Sequence, residues 1–217
     1  QISPAEAIER IADTGFKAVD LCFIKLNNEF FLGNDNWKKM IEDAGEAASR
    51  NGIVFSRAHV PSGPILDQGL DGEIYLERVK RSLEGSALLG IKWSAVHIAD
   101  IPGPYSREHI KLIQKSNLDF YRKLFSTMER HDIGILIENS TDKHAAAPNR
   151  RRYCSTAEEM LDTIQFFNHP LVGACWDTGH ANMQHLDQYE QVMMLGKTLK
   201  AIHVHDNNGD VDQHLLP

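Results

Sequence analysis

Short apolar segments and amphipathic helical segments alternate along the whole chain. The helical segments carry apolar residues at three- and four-residue spacing, and the apolar segments between them predict six strands. Strands joined by helices long enough to cross over indicate parallel pairing and right-handed connections. The predicted strands cover residues 16–23, 53–58, 93–99, 133–137, 171–175 and 199–204, and the predicted helices cover residues 4–14, 36–51, 72–90, 106–131, 155–168 and 187–197.

Two observations favour a closed α/β barrel over an open, doubly wound sheet. No glycine-rich phosphate-binding sequence follows a predicted strand, whereas an open nucleotide-binding sheet carries one after its first strand. Polar residues also recur at the carboxyl ends of many strands, where (β/α)8 barrels place their chemistry. We therefore predict one TIM-type (β/α)8 barrel domain over residues 1–217. Because only six strands are legible, we expect the first and last strands to be missing, so that the chain is truncated at both ends.

Charge and cysteine content restrict the class of protein. A net charge of -7 and a sequence pI near 5.9 give no general attraction to nucleic acid or to anionic membranes, although a local basic patch stays open. The three cysteines form no C-x-x-C pair, which argues against a disulfide framework and predicts a cytoplasmic protein. No apolar stretch approaches the roughly 20 residues of a membrane helix, so we expect no membrane partner.

Potential metal ligands are concentrated in the last forty or so residues of the chain. The sequence Trp176-Asp177-Thr178-Gly179-His180 follows one predicted strand, and His203-Val204-His205-Asp206 closes the next. Asp212 and His214 come shortly afterwards. In isolation, Asp177 would be interpreted as a helix cap and His205 or Asp206 as part of a solvated loop. The recurrence of such residues at strand ends instead predicts a metal site.

Earlier strands add three more candidates. His59 follows the second predicted strand, and His97 lies within the third; each by itself is more typical of a hydrogen-bonded structural histidine than of a ligand. Glu138 closes the apolar fourth strand, where burying a carboxylate is costly unless a cation or hydrogen bonds compensate. Glu138 is therefore a strong candidate for the same site.

The donor atoms restrict the metal. His, Asp and Glu without a convincing Cys ligand suit Zn²⁺ or Mn²⁺ best, with Co²⁺ and Fe²⁺ as alternatives. Mg²⁺ stays open but fits less well, because it prefers carboxylates and retained waters to imidazole nitrogen.

Three of these segments carry a family resemblance. Glu138-Asn139, Asp177-Thr178-Gly179-His180 and His203-Val204-His205-Asp206 resemble motifs of the xylose isomerase-like TIM-barrel superfamily. That superfamily includes sugar and sugar-phosphate isomerases and epimerases as well as type IV (family 2) AP endonucleases. The resemblance runs through nearly the whole chain and is more specific for the superfamily than for a substrate.

Resemblance to the isomerases and epimerases implies a divalent metal held by Glu138, Asp177 and His203, with a final Glu expected beyond Pro217. It implies a proton transfer of the enediolate type on a small carbohydrate substrate, in which the metal stabilises the developing charge. Glu138 would act as acid or base, and His180 would orient a substrate oxygen. Assembly into a homo-oligomer is left open.

Resemblance to the AP endonucleases implies a multinuclear metal site for phosphodiester hydrolysis. His59, His97, His180, Asp212 and His214 occupy the corresponding places and are candidates for further metal or substrate contacts. The acidic balance of the chain argues against a DNA groove, except at Arg150-Arg151-Arg152, which could bind a substrate phosphate or form a solvated charge run. A third alternative is a metal-binding barrel without catalysis, since the final Glu is not in the chain.

Overall fold

A computed structural model describes residues 2–141 and 152–217, which divide into two compact units. The first unit comprises residues 1–95 and 124–134, and the second comprises residues 96–123 and 135–217.

The predicted alternation of strands and helices is confirmed. The strands are β1 (Ala18–Cys22), β2 (Val54–His59), β3 (Trp93–Val96), β4 (Gly134–Glu138), β5 (Val172–Asp177) and β6 (Leu199–His203). The helices are α1 (Pro4–Ala12), α2 (Trp37–Asn51), α3 (Leu70–Leu88), α4 (Arg107–Tyr121), α5 (Phe125–His131), α6 (Ala157–Phe167), α7 (Thr178–Met183) and α8 (Gln188–Leu195).

The first unit contains β1, β2 and the first three residues of β3 as parallel neighbours. Ala18 pairs with Val54 and Cys22 with His59, and β2 continues the ladder to β3. Helix α1 begins as predicted, because Ser3 accepts a hydrogen bond from the backbone N–H of Glu6 and Pro4 occupies the first turn. The core of this unit consists of buried apolar side chains, among them Leu21, Phe23, Phe31, Leu32, Trp37, Ile41, Ala58 and Ile91.

The second unit contains β4 from Ile135 onward, β5 and β6, again parallel. Every residue of β4 and β5 is buried, which explains their nearly continuous apolar sequences. In the parallel register Glu138 lies opposite Cys175 and Asp177 lies opposite His203. The carboxyl ends of all three strands therefore meet at one edge of the ladder.

Two elements differ from the prediction. The helix expected over residues 106–131 consists of α4, a 3-10 turn at Arg122–Leu124 and α5. The segment after Asp177, where no helix is predicted before residue 187, is the short helix α7. Across residues 2–141 and 152–217, none of the helices combines the length and apolar character needed to cross a bilayer. The single domain expected over residues 1–217 stays a prediction.

Candidate metal centre

Three side chains at the ends of β4, β5 and β6 converge in the second unit. Glu138 and Asp177 are each only 2% exposed. The Nδ1 atom of His203 lies 2.9 Å from Oε1 of Glu138 and 3.8 Å from Oδ2 of Asp177. Two buried carboxylates thus share one imidazole, in an arrangement that is costly unless positive charge lies between them.

The nearby Glu138 carboxylate favours the protonated form of His203. Burial by itself lowers the pKa of this imidazole, but hydrogen bonds with Cys175 and Glu138 and the charge of the Glu138 carboxylate outweigh burial and raise its pKa to about 11. A proton on His203 therefore supplies positive charge beside the carboxylates. A divalent cation could take the place of that proton.

Asp177 has two roles at once. One carboxylate oxygen accepts a hydrogen bond from the backbone N–H of His180 at 2.8 Å, which makes Asp177 the N-cap of α7. The other oxygen faces His203. The helix-cap interpretation and the metal-site interpretation are thus compatible, because a carboxylate has enough lone pairs for both.

The first turn of α7 directs the buried His180 into the same region. Its Nδ1 lies 2.7 Å from the carbonyl oxygen of Asn139, and since a carbonyl can only accept, Nδ1 must donate. Its Nε2 lies 3.5 Å from Oδ2 of Asp212. In a neutral His180 this Nε2 carries a lone pair that faces a carboxylate, an arrangement that suits a cation between them.

A second group is formed by His205, Asp212 and His214. Nε2 of His214 lies 3.2 Å and Nε2 of His205 lies 3.6 Å from the two oxygens of Asp212. The rings of His205 and His214 stack with centroids 4.0 Å apart. His205 also contacts Asp177, with Nε2 3.0 Å from Oδ1. The imidazole of His205 therefore lies close to both Asp177, at the end of β5, and Asp212, in the second group.

His205 lies in the ligand-rich segment His203-Val204-His205-Asp206, but the sequence analysis assigns it no individual role in the metal site. The solvated-loop interpretation that it would have in isolation does not hold, because its side chain is only 9% exposed. The signal was present in His203-Val204-His205, because residues two apart in an extended segment lie on the same face.

Three of the remaining candidates, His59, His97 and Arg152, lie among the described residues. His97, in the second unit, has its Nε2 3.9 Å from Oε2 of Glu138. His59 ends β2 in the first unit, where its Nδ1 lies 2.7 Å from the carbonyl oxygen of Val60. Arg150 and Arg151 lie outside the described residues. Arg152 is half-buried, and its Nε has no hydrogen-bond partner within residues 2–141 and 152–217.

The sequence matches the family model described as xylose isomerase-like TIM barrel over residues 8–217. The chain belongs to that family. An uncharacterised protein of Methanocaldococcus jannaschii is 27% identical over 218 residues, a match that covers 98% of this chain and 69% of the relative. A second uncharacterised relative, from Sinorhizobium fredii, is 26% identical and matches 65% of this chain and 43% of its own length.

Solved structures share the fold at low sequence identity. A D-tagatose 3-epimerase-like protein superposes with a TM-score of 0.74 at 22% identity and covers 98% of this chain and 77% of its own. A 3-keto-D-glucoside 4-epimerase of E. coli superposes with a TM-score of 0.72 at 19% identity, covering 95% and 75% respectively. A D-psicose 3-epimerase superposes with a TM-score of 0.69 at 15% identity, covering 94% and 68%. These likenesses establish the TIM-barrel fold.

The side chains at the strand ends are suited to a divalent cation. Glu138, Asp177 and His203 each offer one ligand atom, and the three atoms lie within 4.8 Å of one another. Oδ1 of Asp212 and Nδ1 of His205 are buried and have no hydrogen-bond partner among the described residues. Mixed carboxylate and imidazole donors fit Zn²⁺, Mn²⁺, Co²⁺ or Fe²⁺ better than Mg²⁺.

Proposed function

We propose that this chain carries the metal centre of a divalent-metal-dependent isomerase or epimerase that acts on a small sugar or sugar phosphate. The observation that carries the proposal is the convergence of Glu138, Asp177 and His203, with 2.9 Å and 3.8 Å between the imidazole and the two carboxylates. The fold shared with three proteins that are named as sugar epimerases or as similar to one supports the substrate class.

The chemistry follows from what each side chain can hold. A divalent ion bound by these three residues supplies Lewis acidity toward a carbonyl oxygen and its neighbouring hydroxyl. Glu138, buried and in hydrogen-bond contact with His203, is the group that removes or returns the proton on the hydroxyl-bearing carbon next to the carbonyl. His180 offers Nε2 toward a substrate oxygen, because its Nδ1 hydrogen is committed to Asn139.

Exchange of a carbon-bound proton with solvent tests the proposal. The chain is incubated with Mn²⁺ in D₂O and a panel of aldoses, ketoses and their phosphates, and deuterium uptake is measured by mass spectrometry. We expect uptake into at least one substrate, which stops on addition of a chelator. A metal-loaded chain that exchanges no proton in the whole panel would contradict the proposal.

Two matched variants test whether proton exchange depends on Glu138, which is proposed both as base and as metal ligand. Glu138→Gln removes the base and is expected to reduce exchange by about 10²- to 10⁴-fold. Glu159→Gln alters another buried carboxylate, which lies on α6 and caps that helix, and is expected to exchange at the wild-type rate. Equal losses in both variants would indicate general damage to the fold.

A second candidate function is phosphodiester hydrolysis. It is favoured by the group of His205, Asp212 and His214, whose ligand atoms lie within 4.8 Å of one another and so could hold a further ion. Two or more ions can clamp the attacking and leaving oxygens of a phosphoryl transfer. A nicking assay on an abasic duplex, with and without chelator, distinguishes this function, because an epimerase leaves the duplex intact.

Arg152 is a candidate for phosphate binding in either function.

A further inference from the structure

Asn139 makes a peptide-like clamp on the backbone of Asp177. Its side-chain Nδ2 donates to the carbonyl oxygen of Asp177 at 3.0 Å, and its Oδ1 accepts from the backbone N–H of Asp177 at 2.6 Å. Asn139 is fully buried. The donor and acceptor of one amide thus satisfy both backbone groups of a residue 38 positions away in the chain.

The clamp continues the ladder between β4 and β5 beyond its last backbone pair. That pair joins Glu138 to Cys175, and Asn139 is the next residue after β4. An aspartate here would lack the donor, and a serine could not reach both groups, so the pair of contacts requires a side-chain amide. The sequence alone gave Asn139 no role.

The backbone of Asn139 acts on a second residue of the centre. Its carbonyl oxygen accepts the hydrogen on Nδ1 of His180 at 2.7 Å. This contact fixes the tautomer of a neutral His180 and leaves the Nε2 lone pair facing Asp212, 3.5 Å away. One residue therefore holds the backbone of one candidate ligand and the ring of another.

We propose that Asn139 is a positioning residue of the metal centre, which fixes the carboxylate of Asp177 through its side chain and the tautomer of His180 through its backbone. The inference rests on the proposed metal centre and deepens it. Residues that orient metal ligands typically contribute about 10- to 100-fold to metal affinity.

The chain supplies a matched control in Asn117. This asparagine is also fully buried, and its side chain makes the same pair of contacts with the backbone of Ala99, both at 2.8 Å. Substituting either asparagine by alanine removes a buried amide clamp of the same kind. Only the clamp of Asn139 holds Asp177.

The first experiment titrates wild type, Asn139→Ala and Asn117→Ala with Mn²⁺ by calorimetry, with melting temperatures measured in parallel. We expect both variants to melt at lower temperature, Asn139→Ala to bind Mn²⁺ about 10- to 100-fold more weakly, and Asn117→Ala to bind within about twofold of wild type. Equal effects of the two substitutions on Mn²⁺ affinity would overturn the proposal.

A second variant covers the case in which Asn139→Ala does not fold. Asn139→Asp has nearly the same shape and keeps the acceptor for the Asp177 N–H, but it loses the donor. Its added negative charge would by itself tighten cation binding. We expect weaker Mn²⁺ binding than in wild type, and binding as tight as wild type or tighter would overturn the proposal.

The second experiment needs no metal and so separates this proposal from the proposed function. Imidazole ¹⁵N spectra are recorded at a pH where histidine is neutral, with the His180 signals assigned by their loss in His180→Gln. The side-chain clamp on Asp177 also anchors the backbone of Asn139, so its loss is expected to let the Asn139 carbonyl move away from Nδ1 of His180. We therefore expect one tautomer, with hydrogen on Nδ1, in wild type and Asn117→Ala, and a mixture in Asn139→Ala or Asn139→Asp. If wild type binds no Mn²⁺, the proposed function fails, while an unchanged His180 spectrum in both Asn139 variants would overturn the role of Asn139.

Discussion

At the scale of single residues, Gly179 makes room for His205. A Cβ atom on Gly179 would lie 2.0 Å from Cε1 of His205, so no other residue fits while His205 keeps its place. Since alanine is otherwise favoured over glycine within a helix, the glycine in α7 is explained by this contact. We expect Gly179→Ala to displace His205 from Asp177, to destabilise the protein by about 1–3 kcal/mol and to weaken Mn²⁺ binding about tenfold.

Urea denaturation and Mn²⁺ titration measure the two effects of Gly179→Ala. Gly45→Ala is the matched control, because Gly45 also lies within a helix and its Cβ would meet the end of the flexible Leu89 side chain at 2.9 Å. We expect that variant to change stability by less than about 1 kcal/mol and to leave Mn²⁺ affinity unaltered. A Gly179→Ala variant that behaves like Gly45→Ala would contradict the role of Gly179.

The convergence of Glu138, Asp177 and His203 could be predicted from the sequence, whereas the contact between His205 and Asp177 could not. Glu138, Asp177 and His203 each end an apolar strand, and because parallel strands align their carboxyl ends, the pattern itself brings them together. The contact between His205 and Asp177 joins residues 28 positions apart. Such a contact depends on where the segment after β6 packs, which no local periodicity specifies.

At the scale of elements, Thr156 and Glu159 form a capping box at the start of α6, and ionisation of the buried Glu159 destabilises the folded state. The carboxylate of Glu159 accepts a hydrogen bond from the backbone N–H of Ser155 at 2.9 Å, but burial outweighs the backbone hydrogen bonds and raises its pKa from 4.5 to about 7. The folded state therefore binds more protons than the unfolded state between those two values. We expect the contribution of Glu159 to the free energy of unfolding to fall by up to about 3 kcal/mol as pH rises from 4.5 to 7.

Urea denaturation at pH 5 and pH 8 isolates this effect. Glu159→Gln keeps an oxygen for the cap but cannot ionise, so the variant is expected to lose less stability than wild type between the two pH values. Glu158→Gln, at the exposed neighbouring position, serves as the control and is expected to retain the wild-type pH dependence. Identical pH dependence in wild type and Glu159→Gln would show that Glu159 ionises normally in the folded chain.

Long elements were predictable and short ones were not. Helix α2, with 15 residues, and the fully buried β5 each show a periodicity or apolar run long enough to be recognised. Helix α7 has six residues and contains a glycine, so it gives no helical pattern. Its helical conformation is favoured instead by the Asp177 cap, which the sequence offered only as one alternative.

At the scale of the whole molecule, the described chain consists of two compact units, and the proposed ligands Glu138, Asp177 and His203 all belong to the second. The sequence predicted a single barrel domain, because its strand and helix pattern is uniform and no linker composition marks a boundary. The two units differ in where their internal contacts are dense, and such a difference leaves no compositional mark in the sequence.

The division into two units has a measurable consequence for stability. A bound metal stabilises only the part of the structure that must open to release it.

Amide hydrogen exchange should therefore respond to metal in one unit more than in the other. At a free Mn²⁺ concentration about 100 times its Kd, binding adds about 2.7 kcal/mol to any opening that destroys the site, which slows exchange through that opening about 100-fold. We expect this slowing in β4, β5 and α7 and little change in α1 and α2, measured by mass spectrometry of peptides. His203→Gln should abolish the slowing in β4 and β5, since it removes a ligand. Equal slowing in α1 and α2 would mean that the two units open only together, and the chain would then behave as the single cooperative domain that its sequence predicts.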